Sequence, residues 1–215
     1  MSKCIIMCAG EFEPLVIEKE EGDLLIAADN GLSYLQKLGV FPDVIIGDFD
    51  SLGREGRRLL EEIKEESPDK IITLPKEKDD TDTIAAIREG LRRGYKTFYL
   101  YSALGGRLDH TFANIQALNF IKEHDAQGYI MSEKEMIFLI RNETRKFHKG
   151  FSGGFSLFSL GDRLENVSIS GMKYELENAV ITNGFPIGVS NEILGENEAV
   201  VTVGNGTALA IVRWE

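Results

Sequence analysis

From Lys3 to Glu123 the chain alternates short apolar runs with amphipathic helical patterns, and this alternation narrows the choice of fold more than any other feature. Lys3–Cys8, Asp23–Ala28, Asp43–Ile46, Lys70–Leu74 and Thr97–Tyr101 are apolar runs of strand length. Between them, Leu32–Leu38 has helical spacing and stops at Gly39, and Arg54–Glu66 turns Leu59, Leu60 and Ile63 inward. Ile84, Ile87 and Leu91 recur at i, i+3 and i+7 and form one apolar stripe. Arg92 and Arg93 occupy that helix's last turn, and Gly94 suits the left-handed position that closes it. A further helix runs from about Thr111 to Glu123. Strands interleaved with helices predict a Rossmann-like, doubly wound, mostly parallel sheet.

Past Tyr129 the pattern changes. Met136–Ile140, Phe155–Leu160, Leu164–Ile169, Ala199–Val203 and Thr207–Val212 are short and rich in β-branched or aromatic residues. Turn signals separate them, among them Gly161-Asp162, Ser170-Gly171 and Asn205-Gly206. Asn-Gly between two apolar runs predicts a hairpin. The expected division is an α/β domain over 1–128 and an antiparallel β-sandwich over 129–215.

Composition limits the partners. A net charge of -11 disfavours nucleic acid and anionic membranes, which call for clustered Lys and Arg. No run approaches the ~20 apolar residues of a membrane span. The opening Met1–Cys8 run is too short for a signal peptide, so a cytoplasmic protein is expected. Cys4 and Cys8 cannot build a disulfide framework and read as buried thiols.

Acids gather where chemistry is expected. In open α/β sheets ligands bind outside the carboxyl ends of the strands. Successive runs place there Asp29, then Asp48 and Asp50, then Asp79, Asp80 and Asp82, then Asp109. A lone Asp at such a place is a helix cap or a turn former. Clustered carboxylates repel one another unless a cation joins them. Oxygen ligands with no His or Cys among them favour Mg²⁺ or Mn²⁺, which usually works with substrate phosphates. Asp48 and Asp50 lie two apart, so facing one ion requires the turn at Gly47 to break strand alternation. Gly105-Gly106-Arg107 offers close backbone approach and a guanidinium for phosphate oxygens. Lys76 and Lys78 flank the acidic run as solvated loop lysines or phosphate contacts. Gly150-Phe151-Ser152-Gly153-Gly154 matches a nucleophile elbow, but the strand-like Phe155–Leu160 follows where a helix is needed. The residues alone reach as far as a magnesium-dependent enzyme of a phosphorylated ligand.

Five segments together resemble the thiamine pyrophosphokinase family of the bacterial type. They are Ala27-Ala28-Asp29-Asn30-Gly31, Gly47-Asp48-Phe49-Asp50-Ser51, Lys78-Asp79-Asp80-Thr81-Asp82, Gly105-Gly106-Arg107-Leu108-Asp109-His110 and Gly188-Val189-Ser190-Asn191-Glu192. The resemblance implies pyrophosphoryl transfer from ATP to the hydroxyl of thiamine, giving thiamine diphosphate and AMP. It implies that Asp48, Asp50 and Asp82 hold Mg²⁺. Asp79, Asp80, Asp82 and Arg107 would be catalytic, and Asp79 or Asp80 would take the hydroxyl proton. Asp29, Asn30, Arg107, Asp109 and His110 would line the nucleotide, and Ser190 and Asn191 the thiamine. The α/β domain would be catalytic and the β domain thiamine-binding, in a homodimer with thiamine at the subunit interface.

Three positions depart from the family pattern. Asn30 replaces a usual Gly, which positive φ at Asn accommodates. Ser102 stands where Gly is frequent, and the single Trp, Trp214, is expected to cap the sandwich. Two alternatives stay open at this level: another magnesium-dependent nucleotidyl- or phosphotransferase, and a non-catalytic nucleotide or thiamine diphosphate sensor.

Overall fold

A computed structural model of the protein describes residues 2–75, 77 and 79–214. The chain forms two compact units, Met1–Glu133 and Lys134–Glu215.

Among its described residues the first unit contains six strands: β1 (Cys4–Met7), β2 (Leu24–Ala28), β3 (Val44–Gly47), β4 (Ile71–Thr73), β5 (Thr97–Tyr101) and β6 (Gln127–Met131). The α-helices that connect them are α1 (Gly31–Leu38), α2 (Arg54–Glu66), α3 (Asp82–Arg92) and α4 (Leu108–Glu123). All strand pairs are parallel, in the order β6-β5-β1-β2-β3-β4. The chain steps outward from β1 to β4, then crosses back through α3 to lay β5 on the other side of β1. The sheet thus reverses direction between β1 and β5, the switch point at which doubly wound folds bind ligands.

Every residue of β1, β2 and β3 is buried, as befits strands covered on both faces. Ile5, Met7, Leu25, Ala27 and Ile45 form one core cluster with Leu32 and Leu35 of α1 and Leu60 of α2. The alternate residue Cys4 and Phe98 of β5 meet α3, where a Cβ at Gly90 would come within 2.8 Å of the Cys4 sulfur. Both thiols are buried, and burial pushes Cys8 up to about 12 and Cys4 upward as well. α3 ends as its sequence predicts. Gly94 takes φ 89°, the Gly94 amide donates to Leu91 O at 2.9 Å, and the Tyr95 amide donates to Gly90 O at 3.1 Å.

The division between units falls after Glu133, not after residue 128, because Gln127–Met131 pairs with β5 as the sixth parallel strand. α4 begins at Leu108, ahead of the expected Thr111, with Arg107 as its N-cap residue.

The second unit is a sandwich of two antiparallel sheets. Its strands are β7 (Glu135–Arg141), β8 (Thr144–Phe147), β9 (Gly153–Ser159), β10 (Arg163–Ser170), β11 (Leu176–Thr182), β12 (Asn191–Ile193), β13 (Ala199–Asn205) and β14 (Thr207–Arg213). One sheet runs β12-β9-β14-β7 and the other β11-β10-β13-β8. Phe147 of one sheet and Phe155 of the other meet edge to face, centroids 5.8 Å apart. Strand β9, with no helix, follows Ser152, as expected of a false nucleophile elbow. Asn205-Gly206 does not close a hairpin. β13 and β14 lie in different sheets, so this turn is a corner that carries the chain across the sandwich. The Gly206 amide donates to Asn142 Oδ1 at 2.8 Å, and Asn205 Nδ2 donates to Glu165 Oε2 at 3.0 Å.

Candidate functional site

Asp29 follows β2 directly. Its backbone takes φ 49°, and its amide donates to Ile46 O at 2.8 Å. The residue is 8% exposed, and its Oδ1 is buried without a hydrogen-bond partner among the described residues. The Ser51 hydroxyl donates to Oδ2. Burial raises the Asp29 carboxyl above its ordinary value; the Ser51 hydroxyl and the Asn30 amide pull it back, and the charges of Asp82 and Asp48 raise it further. Asn30 itself is right-handed, φ -64°, so the residue that needs positive φ here is Asp29, and Asn30 replaces Gly without strain.

Asp48 lies past the end of β3, and its Oδ1 accepts the Asp50 amide at 3.1 Å. Alternation breaks at Phe49, φ 62°, and not at Gly47, which remains within β3. The Phe49 ring packs against the α1–α2 core cluster, which anchors a backbone conformation costly for a bulky residue. Arg57 of α2 reaches back to this loop, Nε donating to Leu52 O at 2.7 Å and Nη2 to Asp50 O at 3.1 Å.

Asp82 is the first residue of α3, but Thr81 caps the helix, its hydroxyl accepting the Ile84 amide at 3.2 Å. Capping therefore does not account for Asp82. Asp80 is paired with Arg88 of α3 at 2.9 Å, while Asp79 is exposed. Lys76 and Lys78 lie outside the described residues.

At the switch point, the Gly10 amide donates to Ser102 O and the Glu11 amide to Leu104 O, both at 2.8 Å, joining the loops after β1 and β5. Gly105 and Gly106 take φ 73° and 65°, and a Cβ at Gly105 would strike Glu11 Oε2 at 2.5 Å. This turn presents Arg107, whose Nε and Nη2 donate to the two Asp109 oxygens at 3.1 and 2.6 Å. The guanidinium holds the Asp109 carboxyl below its ordinary value. His110, in the first turn of α4, is exposed.

In the second unit, Ser190 takes φ 62° and its amide donates to Ser156 Oγ at 3.2 Å. Asn191 is 9% exposed, and its side chain is engaged with backbone. Oδ1 accepts the Tyr174 amide at 3.0 Å and the Glu192 amide at 2.8 Å, and Nδ2 donates to Tyr174 O at 2.7 Å. A pocket of about 490 Å³ is lined by Ser190, Asn191, Gly154, Arg213 and Trp214, among others. Trp214 thus lines a pocket, where the sequence suggested a cap.

Among the described residues, eight non-glycine positions have positive φ, and five of them are Asp or Asn, which tolerate it. The other three are Phe49, Ser102 and Ser190, and each falls in or beside a motif singled out from the sequence. Strained backbone of this kind concentrates at functional sites. Ser51 and Arg57 join the site without having been expected there. Ser51 had a signal, as part of the G-D-F-D-S run; Arg57 had none, being one of several charged residues on α2.

The donor chemistry suits a hard dication. Asp29 has a buried oxygen with no partner among the described residues and feels two further carboxylates from separate segments. As the side chains stand, no three acids among the described residues converge into a coordination sphere.

Carboxylates along one rim of a doubly wound sheet and a glycine turn presenting a guanidinium are the parts that phosphoryl transfer calls for, and the β-sandwich adds a pocket of its own. The chain belongs to the thiamin pyrophosphokinase family: the model of that family's catalytic domain matches residues 17–130, more than half of the chain, and that of its vitamin B1 binding domain matches residues 143–207. It is 28% identical over 182 residues to a thiamine pyrophosphokinase of Bacillus subtilis, covering 81% of this chain and 80% of that one. The fold is that of the crystal structure of thiamine pyrophosphokinase from Bacillus subtilis, with TM-score 0.88, 24% identity and full coverage of both chains. The thiamin pyrophosphokinase structure from Geobacillus thermodenitrificans follows at TM-score 0.83 and 24% identity, covering 100% of this chain and 98% of that one.

Proposed function

We infer that the protein transfers a pyrophosphoryl group from ATP to the hydroxyl oxygen of thiamine, releasing AMP. The observation that carries this reading is the match of both family domains, in order, on one chain. The thiamine oxygen forms a bond to the β-phosphorus, the bond from that phosphorus to the oxygen bridging to the α-phosphate breaks, and the hydroxyl proton leaves to a base.

Asp48, Asp50 and Asp82 are proposed to hold Mg²⁺, together with Asp29, whose buried oxygen supports its inclusion. When bound, the ion supplies neutralisation of charge on the ATP phosphate oxygens. Asn30, Asp109 and His110 are assigned to the nucleotide. Arg107 clamps phosphate oxygens, which displace Asp109 from its guanidinium; both side chains are well exposed, so the exchange costs little. Asp79 is the better candidate for proton acceptor, since Arg88 already engages Asp80. Ser190 faces thiamine in the pocket that Trp214 lines, and Asn191 acts by fixing the segment at Tyr174.

A homodimer is proposed on the apolar surface of the second unit, where Val180, Phe185, Ile187 and Val189 are each about half exposed or more. Two free thiols suit a reducing cytoplasm. Thiamine-dependent release of AMP from ATP tests the function. ADP in place of AMP would favour a different phosphotransferase, and no turnover would favour a sensor.

A further inference from the structure

We propose that Arg57 is a positioning residue that sets the affinity of the carboxylate rim for its divalent cation by fixing the Asp48–Leu52 loop. The inference rests on the assignment of Asp48 and Asp50 to that cation.

The loop carries two acids only two residues apart and bends at a positive-φ phenylalanine. Such a segment has strained backbone and needs outside anchors to persist. Three are present. Phe49 packs into the α1–α2 core cluster, the Ser51 hydroxyl donates to Asp29, and Arg57 donates to two loop carbonyls. The Arg57 anchor is the most directional. Its planar fork spans Asp50 O and Leu52 O, and so fixes the backbone on either side of Ser51. Arg57 stands on the first turn of α2, a helix seated on the core through Leu60, so the anchor is rigid. Its side chain also lines the groove of about 580 Å³ that contains Asp48, Phe49 and Asp50.

Electrostatics and positioning predict opposite signs. Arg57 is a cation beside a cation site, so removing its charge should by itself tighten metal binding. If its role is to hold the carboxylates in place, removal should weaken binding despite the favourable change in charge. Outer partners of metal ligands typically alter affinity by about 10–100-fold.

The test is Mn²⁺ binding to the full chain without nucleotide, by titration calorimetry and by the loss of the free-ion paramagnetic signal. Arg57→Gln is expected to raise the Mn²⁺ dissociation constant by about tenfold or more. Arg57→Lys keeps the charge but cannot span both carbonyls, and is expected to fall between wild type and Arg57→Gln. Arg58→Ala is the control. Arg58 lies on the same helix, pairs with Glu62 at 2.8 Å, and should leave Mn²⁺ affinity within about twofold of wild type. In turnover, Arg57→Gln should raise the half-saturating metal concentration and leave the thiamine KM unchanged. Unchanged or tighter Mn²⁺ binding in folded Arg57→Gln would overturn the proposal, as would an equal loss in Arg58→Ala. Failure of both Arg57 variants to fold would assign the residue to the fold and overturn it too.

Discussion

Replacing Asp29 by Asn should make the metal-free protein more stable while disabling it. Asp29 is 8% exposed, its Oδ1 has no hydrogen-bond partner among the described residues, and Asp82 and Asp48 add like charge. A buried polar atom without a partner costs about 1–3 kcal/mol, and a charged one more. Asn keeps the shape and the contact with Ser51 but removes the charge, while still leaving one polar atom unpaired. The net gain expected at pH 7 is about 1–2 kcal/mol, which for a chain of this length raises Tm by about 2–8 °C. The pH dependence fixes the cause. The folded-state carboxyl is raised, so its contribution to stability is fully present below the unfolded value and is lost as pH rises through the folded one. Wild type therefore loses stability over that interval, and Asp29→Asn does not. The difference in Tm should be near zero below about pH 4 and widen toward neutrality. Circular dichroism melts in chelator from pH 4 to 8 read it directly. A variant less stable than wild type at pH 7, or a gap that does not change with pH, would refute the reasoning. Adding Mg²⁺ and ATP should raise the Tm of wild type and have little effect on the variant.

Asp50→Asn and Asp82→Asn should keep the metal-free Tm yet lose AMP formation by roughly 10²–10⁴-fold, with Asp69→Asn, in the 3₁₀ turn Pro68–Lys70, as a neutral control. Asn191→Ala removes three hydrogen bonds to backbone and is expected to destabilise the protein by about 1–3 kcal/mol, whereas Ser190→Ala should keep Tm and raise the thiamine KM more than the ATP KM. Thermal melts with steady-state kinetics separate the two. Trp214 is the single Trp, so titrating thiamine should change intrinsic fluorescence, and a signal flat up to saturation would remove Trp214 from the pocket.

The parallel sheet was legible because β1, β2 and β3 are buried on both faces, which writes continuous apolar runs into the sequence. β6 escaped because Gly128 interrupts its run; a Cβ there would strike Ile121 and Leu118 of α4. Asn205-Gly206 misled because turn chemistry reports a sharp reversal, not which sheet the next strand joins. In the site, the acids were visible as residue types, but their supports were not. Positive φ at Asp29 and Phe49, the Asp80–Arg88 pair and the hold of Arg57 on the loop depend on tertiary contacts. Asn191 shows the limit most clearly: its backbone partners at Tyr174 lie in a distant segment, and nothing in the run Gly188–Glu192 announces them.

Pyrophosphoryl transfer is tested most directly by ³¹P NMR of one reaction containing the protein, ATP, thiamine and Mg²⁺. ATP resonances should give way to one AMP signal and to a new pair of coupled diphosphate signals, in equal amounts and only when thiamine is present. Accumulation of ADP with a single thiamine monophosphate signal, or of inorganic pyrophosphate with a nucleotidylated product, would contradict it.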